Sequence, residues 1–416
     1  MRSLADWLER QEKSHPSAID LSLARVREVA QRLGLTAPAC RVVTVAGTNG
    51  KGSTVAYIDA LLRAAGRRSG RFTSPHLRRY NERICVDGVE ASDAELIESF
   101  ERIDAARGAI TLTFFEYNAL AALDHFRRKS VDVAVLEVGL GGRLDATNII
   151  DADVGVICSI GLDHVDWLGA TIEDIGREKA GILRRGRPAV LGSADMPATV
   201  FTTIGEIGAL PVVFGRDFSA HRRANGWDFA CGSFELHDLP LPALAGALQV
   251  GNAATALAAL SVRDFEIELT RERVSSALRS VRIAGRFQIV PGPVEWVLDV
   301  AHNVPAAQAL GSNLRALPGR RTLAVCGILG DKDIEGIAAA LRDDVQEWIL
   351  VALAGPRAVG TTELARRLPA GASVVAHAAD VASGCRIARE RAAPGDRVLV
   401  FGSFLTVGPA LEYLGI

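Results

Sequence analysis

Apolar and polar positions along the chain follow two alternating periods. Short β-branched and aliphatic runs cover 41–46, 131–138, 154–160 and 188–191, and later 295–300, 322–327, 348–352, 373–376 and 397–401. Runs this short and this apolar predict strands buried on both faces. Stretches with apolar residues at helical spacing lie between them, at 55–65, 93–106, 114–127, 172–183, 253–261 and 306–317. Strand and helix in alternation predict an α/β fold, its sheets mainly parallel with helices on both faces. Binding loops are then expected beyond the C-terminal ends of the strands.

Two interruptions divide this pattern. Residues 216–241 are polar with short alternating runs, which predicts a β-hairpin excursion around Cys231-Gly232. The stretch Arg282-Ile283-Ala284-Gly285-Arg286-Phe287 precedes a fresh strand–helix series, so a domain boundary is expected near Ile283. The expected domains are 1–283, with a P-loop-type mainly parallel sheet, and 284–416, a smaller Rossmann-like α/β domain. A length of 416 residues exceeds what one core usually supports, which agrees with two.

Composition narrows the class. Apolar residues make up 49% and charged residues 23%, and the net charge is −2, so an ordinary globular protein without a basic field for nucleic acid is expected. The six cysteines are scattered with no C-x-x-C pair, which argues against a zinc or dithiol motif. The charged N-terminus does not resemble a secretory signal, and no apolar run is long enough to span a bilayer. A cytoplasmic protein with no membrane partner is expected.

The first strand runs into Gly47-Thr48-Asn49-Gly50-Lys51-Gly52-Ser53-Thr54. Such a loop offers backbone N–H groups, a helix N-terminus and one cation to a polyphosphate. Lys51 would reach the outer phosphates and Ser53 would help order magnesium, although Gly52 breaks the common spacing. Other strand ends carry polar side chains too. Glu137 precedes Gly139-Leu140-Gly141-Gly142-Arg143-Leu144-Asp145, and reads as a magnesium ligand or a salt-bridged strand end. Arg143 and Asp145 would face a substrate. His164 reads as a metal ligand or a structural histidine. Ser74, in Thr73-Ser74-Pro75-His76-Leu77, sits in a turn where its hydroxyl could meet a cation. Lys179 is a surface lysine or one that reacts with carbon dioxide to give an anionic carbamate. Phe114 and Phe115 belong to the core or stack on a flat ring. Asp299 reads as a ribose acceptor or a turn aspartate, Asn252 as a site residue or an N-cap, and Arg286 as a phosphate fork or a linker salt bridge.

Together VAGTNGKGST, TSPHL, LTFFEYNAL, LEVGLGGRLDATN, LDHVDWLG, IGREKAGI, GNAATAL, AGRFQIV, DVAHN, ILGDKDI and FGSFLTV cover nearly the whole chain in one order. In this the chain resembles the Mur ligase superfamily, and within it the bifunctional dihydrofolate synthase/folylpolyglutamate synthases. The resemblance implies an ATP-dependent amide ligase that adds L-glutamate to 7,8-dihydropteroate and to the tail of reduced folates through an acyl phosphate. It implies that Gly50, Lys51, Gly52 and Ser53 cradle ATP, with Asn252, Arg286 and Asp299 completing the nucleotide site. Ser74, Glu137, His164 and a carbamylated Lys179 would hold Mg2+ at two sites, and Lys51, Glu137, His164 and Lys179 would be catalytic. The dihydropteroate pocket would comprise Ile19-Asp20-Leu21, Thr113 to Glu116 and Arg143-Leu144-Asp145, while His302 and Ser403 would meet the incoming glutamate. A monomer is expected. The alternatives are a folylpolyglutamate synthase lacking the dihydropteroate reaction, a cell-wall Mur ligase, which the GTNGKGS loop and SPH motif disfavour, and a non-catalytic nucleotide-binding regulatory protein.

Overall fold

The computed structural model describes residues 2–262, 265 and 267–416. The chain forms two compact units. One comprises residues 1–161, 165–243 and 250–281, and the other comprises 162–164, 244–249 and 282–416.

The first unit is built on eight strands: β1 (Arg41–Ala46), β2 (Ser69–Phe72), β3 (Ile84–Val86), β4 (Val89–Glu90), β5 (Val133–Glu137), β6 (Val154–Ile157), β7 (Pro188–Leu191) and β8 (Leu210–Val213). Their order in the sheet is β4-β3-β2-β5-β1-β6-β7-β8. β2, β5, β1, β6, β7 and β8 pair in parallel, while β3 pairs antiparallel with both β2 and β4. In register, Val45 of β1 lies opposite Glu137 of β5 on one side and Val156 of β6 on the other. The C-terminal ends of these three central strands therefore lie side by side. Chain order switches direction around β1, the place where open α/β sheets bind ligands.

The helices follow the chemistry of their ends. Helix Phe114–Lys129 opens with a reciprocal cap: Thr113 Oγ1 accepts from Glu116 N, and Glu116 accepts from Thr113 N. Such a box is worth about 1 kcal/mol. Helix Lys51–Ala64 is buried from Ser53 to Leu62, so its sides belong to the core. It starts four residues earlier than its apolar pattern predicts. Gly52 and Ser53 are weak helix formers, but burial and the left-handed Gly50 (φ 85°) set the boundary instead. One core joins Trp7, Phe72, Phe100 and Phe126, and a second lies under β6 to β8 around Leu183, Leu191 and Val200. The polar excursion is a three-stranded antiparallel sheet rather than a lone hairpin: β9 (Phe218–Arg222), β10 (Trp227–Cys231) and β11 (Phe234–Leu239), with β10 in the middle.

The second unit carries β12 (Gln288–Val290), β13 (Glu295–Asp299), β14 (Thr322–Cys326), β15 (Glu347–Val351), β16 (Val374–Ala378) and β17 (Arg397–Phe401). The order is β12-β13-β17-β14-β15-β16, parallel except for β12. Asp299 and Cys326 lie in register with Phe401 on its two sides, so the loops after β13, β14 and β17 share one sheet edge. No helix among the described residues is long and apolar enough to cross a membrane.

Candidate active site

The loop after β1 is tied to β6. Thr48 N donates to the Ser159 carbonyl at 2.8 Å, Asn49 N to Ser159 Oγ at 3.1 Å, and Thr48 Oγ1 to the Gly161 carbonyl at 3.0 Å. Helix Lys51–Ala64 then begins without a side-chain cap at Gly50. The N–H groups of Lys51, Gly52 and Ser53, which no intrahelical carbonyl can serve, thus receive no side-chain cap from Gly50. A Cβ at Gly50 would lie 2.8 Å from Asn252 Oδ1, so Asn252 packs directly on the loop. Asn252 sits inside helix Gln249–Ser261, so the N-cap reading of that residue does not hold.

Two lysines converge on one carbonyl. Lys51 Nζ donates to the Gly47 carbonyl at 2.9 Å and to Thr48 at 3.2 Å, while Lys179 Nζ donates to Gly47 at 3.1 Å. Lys179 is 5% exposed, which overturns the surface reading that its helix composition suggests. Glu137 ends β5 and is equally buried; its Oε2 accepts from Ser74 N at 3.2 Å. The thiol of Cys158, pushed up to about 11 by burial, lies within electrostatic range of Lys51, Glu137 and Lys179 together. Three of the four expected catalytic residues thus share one locality in the first unit. The Ser74 hydroxyl and Glu137 carboxylate are hard oxygen donors, the kind magnesium takes. Among the described residues no group of three or more His, Cys, Asp or Glu could hold a metal.

His164 groups with the second unit and has a left-handed backbone (φ 52°). Its neighbour Asp163 is the hub there. Asp163 Oδ1 accepts from Lys332 Nζ at 2.6 Å and Oδ2 from Asn303 Nδ2 at 3.0 Å, with His302 Nε2 at 3.8 Å. Burial alone would raise the Asp163 carboxyl, but His164, Lys332 and His302 hold it far below the usual carboxylate range. Burial, helped by Lys332, depresses His302 to about 4, and its Nδ1 lies 2.7 Å from the Val300 carbonyl, so at neutral pH the ring is uncharged. Sequence reasoning quotes the motifs holding Asp163, Asn303 and Lys332 but singles out none of the three. Asp163 and Asn303 adjoin His164 and His302 after strand ends, while Lys332 lies in the loop beyond β14 with no such neighbour.

Asp299 accepts from Phe287 N and Ala301 N, each at 2.8 Å; desolvation raises its carboxyl and the Arg286 cation opposes that. The Arg286 guanidinium lies over the Phe404 ring, 5.2 Å from its centroid. Ser403 caps helix Phe404–Leu414, its hydroxyl accepting from Leu405 N.

The glycine loop after β5 is held from within. Asp145 Oδ2 accepts from Gly139 N and Leu140 N, and Oδ1 from the backbone and hydroxyl of Thr147. All four donors belong to its own loop, so this carboxylate shapes the loop. Arg143 forms a fork onto Glu178 Oε1 at 3.0 and 2.8 Å, and a Cβ at Gly142 would come within 2.8 Å of the Glu178 carbonyl oxygen. Leu144, next in the chain, is half-buried. Phe115 packs against Gly139 and Phe72, and Phe114 lies under the Arg83 guanidinium.

Ile19-Asp20-Leu21 meets the start of helix Phe114–Lys129 through two residues that sequence reasoning misses. Arg25 donates to Asp20 Oδ2 at 2.8 Å and to Glu116 Oε1 at 3.2 Å, and His15 bridges Asp20 Oδ2 (3.2 Å) and Thr111 Oγ1 (2.8 Å). Neither has a sequence signal: Arg25 is one arginine among several in a polar helix.

The family description "Mur ligase middle domain" matches residues 45–260, and "Mur ligase, glutamate ligase domain" matches 285–404. The dihydrofolate synthase/folylpolyglutamate synthase of Escherichia coli K12 is 45% identical over 412 residues, covering 99% of this chain and 95% of that protein. The solved structure of E. coli FolC in complex with DHPP and ADP superposes with a TM-score of 0.94 at 45% identity, covering 100% and 98% of the two chains. A bifunctional folylpolyglutamate synthase/dihydrofolate synthase with Mn, AMPPNP and L-glutamate bound gives 0.92 at 44% identity, covering 100% and 99%. With 45% identity along essentially its full length and both domain descriptions matched, the chain belongs to the dihydrofolate synthase/folylpolyglutamate synthase family of Mur ligases.

Proposed function

We propose that the protein is an ATP-dependent ligase that joins L-glutamate to 7,8-dihydropteroate, giving dihydrofolate, and to the glutamate tail of reduced folates. The observation that carries this reading is the uncapped start of helix Lys51–Ala64 with Lys51, Lys179 and Glu137 gathered beside it. Backbone N–H groups of Gly50 to Ser53 and the Lys51 ammonium bind the phosphates of ATP, and Asn252 lines the same loop. In the second domain Arg286 and Asp299 meet the nucleotide, Asp299 through its ribose. The expected division of the chain into 1–283 and 284–416 belongs to this reading.

The pterin-linked carboxylate attacks the γ-phosphate, ADP leaves and an acyl phosphate forms; both reacting partners are anionic, so neutralising charge dominates the barrier. When bound, magnesium supplies that neutralisation. Ser74, Glu137, His164 and a carbamate on Lys179 would hold it. Arg143, Leu144, Asp145, Ile19, Asp20, Leu21 and Thr113 to Glu116 shape the pterin pocket. Lys51 steadies charge on the transferred phosphoryl group. The amine of L-glutamate, oriented by His302 and Ser403, then attacks the acyl carbon and phosphate leaves. Neutral His302 serves as a hydrogen-bond partner rather than an ion pair. The reading includes a monomer in the cytoplasm, and the six free thiols suit a reducing compartment.

Phosphate release from ATP, with magnesium and L-glutamate, tests the reading. Release is expected with 7,8-dihydropteroate and with tetrahydrofolate. Release with tetrahydrofolate alone would reduce the activity to the second reaction, and release with neither would overturn the proposal. The carbamate is tested separately: native mass spectra at high bicarbonate should show an increment of one carbon dioxide that is absent from Lys179→Ala.

A further inference from the structure

Residues 13–23 join helices Leu4–Glu12 and Ala24–Arg32 without regular structure, yet carry the Ile19-Asp20-Leu21 segment. Side chains hold this loop in place. Ser14 Oγ donates to the Leu112 carbonyl and His15 Nδ1 pairs with Thr111 Oγ1, so the loop is fastened to the strip that precedes helix Phe114–Lys129. Arg25 completes the fastening. One end of its guanidinium meets Asp20 and the other meets Glu116, 91 residues further along the chain.

Three features set Arg25 apart from an ordinary surface arginine. It stands in the first turn of helix Ala24–Arg32, which has no side-chain cap and no acidic residue at that end. A cation there opposes the helix dipole, so the helix itself gains nothing from it. The two carboxylates it bridges differ in use. Glu116 is 3% exposed and both its oxygens are taken, by Thr113 N and by Arg25. Asp20 remains one-third exposed, with Oδ2 held by Arg25 and His15 and no donor on Oδ1 among the described residues. The Arg25 Nε is enclosed and has no acceptor among the described residues. The arrangement anchors a presented carboxylate to a buried one through a rigid planar fork, which a lysine cannot copy.

We propose that Arg25 is a positioning residue for the pterin end of the substrate. By bridging Asp20 to Glu116, with His15 on the same oxygen, it fixes where Asp20 Oδ1 faces an N–H-bearing heterocycle. It thereby sets the affinity for 7,8-dihydropteroate without touching the phosphoryl chemistry. The inference rests on the dihydropteroate reading of this pocket.

The test is steady-state phosphate release by the full chain with Arg25→Gln, Arg25→Lys, Asp20→Asn and the Asp20→Asn/Arg25→Gln double variant. Arg25→Gln is expected to raise the KM for 7,8-dihydropteroate by about 10-fold or more while the KM for ATP stays within about twofold. Arg25→Lys should recover part of the loss, since an ammonium can serve one carboxylate but not bridge both. The double variant should be no worse than the poorer single, because the two residues act as one unit. An unchanged KM for 7,8-dihydropteroate in Arg25→Gln, or equal rises in the KM for both substrates, would overturn the proposal. Should Arg25→Gln not fold, the Asp20→Asn/Arg25→Lys double variant takes its place, and additivity of its two single effects overturns the proposal in the same way. Failure of the wild-type chain to release phosphate with dihydropteroate would instead sink the functional reading itself.

Discussion

Two strand–turn–helix junctions in this chain look alike in outline and differ at the helix start. In the first unit, β1 leads through Gly50 into helix Lys51–Ala64; in the second, β13 leads through Asn303 into helix Val304–Arg315. At the first, no side chain caps the helix, and the turn ends in a cation. At the second, Asn303 Oδ1 accepts from Ala306 N at 3.0 Å and a proline in the first turn removes a donor altogether. The preceding His302 is uncharged at neutral pH. One helix start has no side-chain cap on its first-turn N–H groups; the other has one of them capped and a second replaced by proline. Strand–turn–helix order alone therefore does not make a phosphate site, and the residue at the cap decides whether the helix end is offered or closed.

The contrast can be broken most strongly at Lys51. Lys51→Ala is expected to lower kcat/KM for ATP by 100-fold or more, about 3 kcal/mol of lost charge stabilisation, in a chain that still melts cooperatively. Near-normal turnover would remove the first junction from the phosphate site. Gly50→Ala comes next. Its φ of 85° and a Cβ 2.8 Å from Asn252 Oδ1 should weaken ATP binding about tenfold and lower stability by about 1–2 kcal/mol, measured by titration and urea melts. At the second junction Asn303→Ala should cost about 2–3 kcal/mol of stability, from the lost cap and the lost hydrogen bond to Asp163, while moving the KM for ATP less than Gly50→Ala does. Equal effects on ATP at both junctions would erase the distinction.

The smallest effect concerns pH. His302 binds its proton at about 4 when folded and near 6.5 when unfolded. The unfolded chain therefore holds more protons between those values, and stability falls as pH drops through that window. His302→Gln should flatten the slope of stability against pH there by up to about 1.4 kcal/mol per unit, with no change above pH 7. A slope unaltered by the substitution would place the acid sensitivity elsewhere, for example on His125, which burial also depresses to about 4.

Much of this organisation is written in local pattern. The parallel strands announce themselves because they are buried on both faces and read as unbroken apolar runs; 41–46, 188–191 and 397–401 match the observed strands at both ends. The glycine–lysine loop and Glu137 are legible because strand ends are where polar residues interrupt such runs. Register is not local. Only the pairing of β1 with β5 and β6 brings Gly47, Glu137 and Cys158 to one edge, and only tertiary packing draws Lys179 from an apparently solvated helix face onto the Gly47 carbonyl.

Roles of single carboxylates are less legible still. Asp145 and Asp20 look equivalent as acidic residues in loops, yet one is saturated by four donors of its own loop and the other is held on one oxygen only. The sequence by itself determined the fold class, the family and the strand ends where chemistry sits, because hydrophobic period and short motifs are properties of neighbouring residues. Tertiary structure alone decided which lysine is buried, which helix end stays open and that Arg25 ties Asp20 to Glu116, because burial and hydrogen-bond saturation depend on residues far away along the chain.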